Sequence, residues 1–539
     1  MDILAELYKK FNVTPLTTPA WQIFRHLSAF WQHFALHKRT CDRTGKTIIS
    51  VFDADCPFPV WHKDEWMANA NPPTAEYDFS KPFFEQLWEL FHKCPIAHNI
   101  GTNNENCEYT DDWWYSKNCY LSHSGFENED TYYCFRILGL KDCQFCVFSF
   151  KSELCTDLIN STGCFSTTFA LNCRQCRNSA FLFDCRNCAD CLFCWNLRNK
   201  QYCIMNTQYT KEEYELERAK YNFSSRAHYD RARSTFYDIL KTKVWWRATF
   251  EEQCENCLGD QIEKCKNCAN CFMLELSEDC GNFLRGYHSR DCLNTLSSFE
   301  SELCYFSSLA QDRCYEIRFC HDVVQCRYME YSMHCFKCEY CFACSGLVGK
   351  KYCILNKEYT PEEWHRRVAE LKAHMKKEKD TAGAVIYGQF FPGHFAVISY
   401  DESLAGFFWP LGVEQQKELG FRVKVRSEEP HDGYSSPSEI PNSAFDADES
   451  ICKKNFWDET MKKPFRITPF DLQFARKNRV PLPNSYYIRR IKENFSLIFF
   501  NGTLRETTCA LTGEKIMTAI PQAFDGRIVS KEAYEKQVI

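Results

Sequence analysis

At 539 residues with 45% hydrophobic side chains, the chain has length for about three or four domains and enough apolar surface for packed cores, which excludes a disordered protein. Thirty-five cysteines in so long a chain exclude the usual small disulfide scaffold. The start has no basic and apolar leader and no window nears about eighteen apolar residues, so the expected compartment is the cytoplasm, where thiols stay reduced, with no membrane contact. The net charge of −6 at pH 7 opposes generic attraction to nucleic acid and leaves only local basic faces.

In chain order, residues 1–106 read as an α/β region. It contains "CDRTGKTIIS" from Cys41, a knuckle that recurs near the other end as "CALTGEKIMT" from Cys509. A zinc knuckle needs a second cysteine where Thr44 and Thr512 stand, so both copies are degenerate. At the first copy Cys41 and Cys56, with His62, are candidate zinc ligands; at the second no further pair follows. "FSKPFFEQLWELF", Phe79 to Phe91, has the pattern of a helix capped by Ser80.

Residues 107–206 form a first cysteine-rich block, block A. Fourteen cysteines lie between Cys107 and Cys203, and every interval is a multiple of three. An α-helix cannot hold that register, because a step of three residues drifts by about 60°. A coil that returns to the same place can, so the fold class expected is mainly β, with parallel β-solenoid blocks whose inward cysteines stack in ladders. Cys134, Cys155 and Cys176 stand 21 apart, as do Cys143, Cys164 and Cys185, which predicts a coil of 21 residues and five coils per block. Asparagine often precedes cysteine, as at Asn106, Asn118 and Asn172, and suits a coil corner.

Residues 207–253 read as a helical cap and linker and 254–356 as a second block, block B. The segment from Cys185 to Tyr214 matches Cys335 to Trp364 at fourteen of thirty positions, so the unit is duplicated. In block B the register slips between Cys257 and Cys265 and between Cys304 and Cys314, as single-residue bulges would do. A solenoid end needs a cap, and Thr210 with Glu213, like Thr360 with Glu363, makes a capping box opening a helix; the second helix fills 357–380. Residues 381–450 connect onward through an acidic, Ser- and Pro-rich linker at 427–450. In 451–539, "TPFDLQFARKN" reads as a helix capped by Thr468 and Asp471.

The order of "TGK.IIS", "KNCYLS", "SELC", a C-x-x-C-x-x-C run, "NKQYCIMNTQYTKEEY", "PLP" and a terminal "TGE.I" resembles a family of large cysteine-rich, zinc-ribbon-containing proteins of uncharacterised function from uncultivated bacteria. That resemblance spans nearly the whole chain and implies metal binding; members carry paired cysteines after "PLP" and in the terminal knuckle, where this chain has "PLPNSYYIRR" and a lone Cys509.

The strongest candidate metal ligands are Cys185, Cys188, Cys191 and Cys194 and their duplicates Cys335, Cys338, Cys341 and Cys344. In isolation C-x-x-C-x-x-C-x-x-C signals zinc, or less often an iron–sulfur cluster. Inside a period-three coil the same register predicts plain packing. The expected function is a non-enzymatic structural or binding scaffold, with a protein partner or self-association through exposed aromatic faces. A second reading is association with nucleic acid or the ribosome, using the basic segments Arg226 to Arg247 and Arg366 to Lys379 and stacking on Trp245 and Trp246. A third is an enzyme: a carbohydrate-active β-helix face with Asp142, Asp184 and Asp190, or the CoA-transferase name some look-alikes bear, for which no Gly-rich segment is present. Lone histidines such as His334 and His394 read as structural.

Overall fold

The structure, a computed structural model, describes residues 2–31, 35–424 and 433–538; the first residues of the 427–450 linker lie outside them. Two large, almost wholly parallel sheets dominate, one of twelve strands built from block A and one of fifteen from block B.

Within block A each strand pairs with the segment twelve residues on. Glu105, Lys117, Glu129, Lys141, Glu153, Phe165, Arg177, Ala189 and Gln201 are joined in eight such steps. The pairing step is therefore 12 and not 21, and the block holds more turns than five. A spacing of 21 is one full step plus nine residues, and it carries a cysteine to a different stack. Cys107, Cys119, Thr131, Cys143 and Cys155 are a true stack, each twelve from the next.

The period of three has a backbone cause. Every third residue sits in the left-handed region: Asn118, Leu121, Ser124, Glu127, Asp130, Tyr133 and Arg136 have φ between 45° and 58°. Each such residue turns the chain through a corner, and four corners complete twelve residues. Asparagine and aspartate tolerate this conformation best, which explains the asparagines before cysteines; Asn106 donates to Asn118 (3.0 Å) and Asn118 to Asp130 (3.0 Å) along one corner. Aromatic corners stack instead, as in Phe169, Phe181 and Phe193, with ring centres 5.5 and 5.1 Å apart.

Block B repeats the scheme with both register slips where the sequence placed them. Cys257 pairs with Cys268, a step of eleven that returns to twelve after Leu258. Cys304 pairs with Ile317 and Ser308 with His321, a step of thirteen, and both Asp312 and Arg313 are left-handed there. The two blocks lie side by side and run in opposite directions. Asp112 meets Arg285, Arg136 donates to the Met273 carbonyl, Asn160 to Gln261, and Arg186 to Glu252.

A helix follows the last strand of each block. The helix Lys211–Arg218 follows block A behind the Thr210–Glu213 capping box, and Pro361–Met375 follows block B. At the latter Thr360 accepts from the Glu363 amide, but Glu363 turns to Arg367 (3.0 Å), so the expected box is only half made. The helix Phe83–Phe91 starts after Pro82 without a side-chain cap; the Ser80 hydroxyl donates to Asp78 (2.6 Å) in the turn before it instead. Pro469–Asn478 carries the predicted Thr468–Asp471 box. Arg226–Thr242 lays its apolar face on the aromatic corners of block A, where Phe236 meets Phe169 and Phe181.

The knuckles are hairpins, His37–Thr40 with Thr47–Ser50 and Arg505–Thr508 with Lys515–Thr518. Each sits on the lead-in to one block. Val60–Trp61, behind the first hairpin, pairs in parallel with Ile96–Ala97 before block A; Ile528–Val529, behind the second, pairs with Trp246–Arg247 before block B. The duplication thus covers knuckle, lead-in, block and closing helix, although the second knuckle comes last in the chain.

The cysteine interior as candidate functional site

A residue after each corner points into its block, and these residues form one buried cluster per block. In block A it contains Trp113, Ile137, Leu158, Leu182 and the buried cysteines from Cys119 to Cys203; in block B it contains Phe283, Ile317, Met329 and those from Cys265 to Cys353. The backbone explains the choice of cysteine. At inward positions the amide N–H is left over by the ladder, and it is satisfied by the side chain one step earlier: Cys119 N–H donates to Cys107 Sγ (3.4 Å), Cys134 N–H to Ser122 Oγ (3.1 Å), and Cys173 N–H to Ser161 Oγ (3.0 Å). The same side chain donates back to carbonyls two before and nine after, as Ser161 does to Ile159 (3.0 Å) and Ala170 (3.2 Å). Cysteine and serine can do both in a small volume, and cysteine does it with an apolar atom that packs.

The predicted metal ligands follow this pattern. Cys185, Cys188, Cys191 and Cys194 occupy four successive inward positions of one turn and donate to the carbonyls of Phe183, Arg186, Ala189 and Leu192 at 3.2–3.5 Å. Cys335, Cys338, Cys341 and Cys344 donate to Met333, Phe336, Glu339 and Phe342 at 3.3–3.5 Å. In these bonds each thiol is the donor. Burial and the bonds to neighbouring thiols raise Cys185, Cys191, Cys335 and Cys341, while bonds from the thiols around them lower Cys188 and Cys338; burial pushes Cys164 and Cys314 up to about 12. All 35 cysteines are free, and among the described residues no three His, Cys, Asp or Glu side chains are arranged to hold a metal ion.

At the first knuckle Cys41 Sγ accepts the His62 amide (3.3 Å), while the His62 ring accepts from Asp64 N–H and stacks on His98 at 4.6 Å. Cys509 repeats the contact with the Ser530 amide (3.3 Å). Thr44 and Thr512 hydroxyls, with loop amides, lower both thiols against their burial, Cys509 to about 7. Cys56 is half-buried and pushed by burial up to about 11.

Other candidates separate. Asp142 and Asp190 lie four twelve-residue steps apart, and Asp184 faces Arg198 and Tyr534 on another side, so the three do not form one face. Trp246 is buried at 1% exposure and cannot stack on a base; Trp245 lies under Arg527. The basic helix spends Arg226 on the Leu482 carbonyl and Arg233 on Glu493. His394 packs edge-on against Trp88. Among the described residues no helix is long and apolar enough to cross a membrane.

Cys326 tests the bonding scheme. Its Sγ accepts the Cys338 amide (3.4 Å) and donates to the Val324 and Cys335 carbonyls (3.3 and 3.4 Å). Cys326→Ser keeps every bond and should leave the urea midpoint nearly unchanged. Cys326→Ala strands a buried amide and should cost about 1–3 kcal/mol. Equal effects of the two would show that the thiol only fills space.

No protein-family model matches the chain, and no curated protein matches it. Among the solved structures that do is a candidate acetyltransferase from Desulfovibrio desulfuricans G20, 8% identical over 64% of this chain and 75% of its own, with a TM-score of 0.10. So low a score carries no argument.

Proposed function

We propose that the chain is a cytoplasmic, non-enzymatic scaffold made of two β-solenoids of four-sided, twelve-residue coils, whose cysteines are packing residues and whose outer corners present partner-binding surface. One observation carries the reading: the inward thiols are bonded, position after position, to the backbone of their own ladder. A residue spent in this way is not available as a ligand without breaking that ladder. The resemblance to zinc-ribbon proteins then reflects the knuckle hairpins, which keep their place as end caps although Thr44 and Thr512 replace ligands.

The test is a free-thiol count paired with elemental analysis on anaerobically purified protein. All 35 thiols should react after denaturation, and neither zinc nor iron should disappear when Cys188 and Cys338 are replaced by serine. Two or more metal ions per chain, lost in those variants, would overturn the packing reading in favour of zinc or iron–sulfur sites at the two C-x-x-C runs.

A further inference from the structure

Between block B, the start of block A and the N-terminal region lies a cavity of about 30 Å³, room for an ion with one or two waters. Most of its wall is apolar, with Phe30, Val51, Leu309 and Phe395 among the residues that line it. Five polar side chains stand out against this wall: His321, Asp322 and His334 from block B, Asp111 from block A, and Asn99 from the lead-in.

The two histidines are buried, at 4% and 6% exposure. His334 Nδ1 faces Asp322 Oδ2 at 2.8 Å, so Nδ1 donates to the carboxylate and Nε2 is the ring nitrogen left for another partner. Neither His334 Nε2 nor His321 Nδ1 has a hydrogen-bond partner. The rings cross at 83° with centres 5.5 Å apart. Two imidazoles sharing one ion, with metal–nitrogen bonds of about 2.0–2.1 Å, place their ring centres at about that separation.

Charge points the same way. Among the described residues no lysine or arginine lines the cavity, yet two carboxyls do. Asp111 accepts the Ile100 amide, and its neighbour Asp112 is the one that faces Arg285. Two carboxyls, Asp111 buried and Asp322 half-buried, facing an otherwise apolar wall are what a bound divalent ion would compensate.

We propose that this cavity is a binding site for one divalent transition-metal ion, held by His321 Nδ1 and His334 Nε2, with Asp322 orienting His334 from behind. No three donors already stand at ligand positions together, so the remaining positions fall to water and, after rotation of its side chain, to Asp111. Imidazole donors select zinc, cobalt, nickel or copper over magnesium and calcium. The carboxylate behind His334 is the usual partner of a metal-bound imidazole. The site differs from the cysteine runs in ligand, place and chemistry.

The experiment is titration of the metal-free full chain with Co²⁺, read by calorimetry and visible absorption. One Co²⁺ per chain is expected, without a thiolate-to-cobalt band. Affinity should fall about 10–100-fold in Asp322→Asn and be lost in His321→Gln and in His334→Gln, while Cys188→Ser and Cys338→Ser bind as wild type. Absence of Co²⁺ binding, full binding in the folded His variants, or loss in the Cys variants overturns the site. Should a His variant fail to fold, anomalous scattering from Co²⁺-soaked wild-type crystals decides: a peak between His321 and His334 supports the site, and a peak elsewhere or none refutes it.

Discussion

Asp157→Ala should lower the unfolding free energy by about 3–5 kcal/mol, the cost of leaving a buried charge without its partner. The Asp157 side chain is 0% exposed and the Arg490 side chain 9%. The carboxylate takes Arg490 Nε at 2.7 Å, the Tyr229 hydroxyl at 2.8 Å and Asn494 Nδ2 at 2.9 Å. Three segments meet there: a strand of block A, the helix Arg226–Thr242 and the helix Tyr487–Ser496. Removing the carboxylate strands a guanidinium among phenyl rings, since Arg490 also lies over Phe145. Replacing both partners, as in Asp157→Ala with Arg490→Met, should cost clearly less than the sum of the single changes. Additive losses in urea unfolding would show that the pair is not a coupled unit.

The same group sets a pH dependence. Burial alone would raise Asp157, but the Arg490 guanidinium outweighs it and the net direction is down. A carboxyl depressed by folding contributes stability that is fully present above its unfolded pKa, near 4, and is lost as pH falls through the folded value. The wild-type urea midpoint should therefore drop on acidification below about pH 4 by more than it does in Asp157→Asn, where this contribution is already gone.

The period of three was readable because a side chain that must point inward is restricted at every turn, and cysteine marked those positions in the chain. The coil length was not. Inward positions accept Ser, Thr, Leu, Ile and Ala as well, so the stack that shows its twelve-residue step at Cys107–Cys119 and Cys143–Cys155 is interrupted by Thr131, while three cysteines 21 apart advertise a step that pairs nothing. The two slips in block B were legible for the same reason as the register, since a single insertion or deletion shifts every later cysteine. In the sequence His334 reads as a structural histidine and His321 does not stand out, because the two are thirteen residues apart and become neighbours only where His321 pairs with Met333, the residue before His334. At the second cap one local pattern won over another: Glu363 leaves its box for Arg367, four residues on in the same helix.

The other large effect is expected at Trp113, where the interior of block A begins. Trp113 is fully buried at an inward position, and the next residue in its stack is Gly125. A Cβ on Gly125 would stand 2.1 Å from the indole ring, and one on Gly101 2.0 Å from the Trp113 carbonyl. One large side chain thus fills the space of two positions, and the glycine exists to admit it. Trp113→Ala should open a cavity at the end of the ladder and cost about 3–5 kcal/mol. Gly125→Ala should cost about 1–3 kcal/mol by crowding the ring. Combined, the two changes should partly cancel, because the new methyl enters the space the indole vacates. The sign of the coupling in a double-mutant cycle is the measurement. A cycle that closes additively would mean that the indole and Gly125 are not packed as one unit, and that the first turn of block A is held by its lead-in strand and knuckle instead.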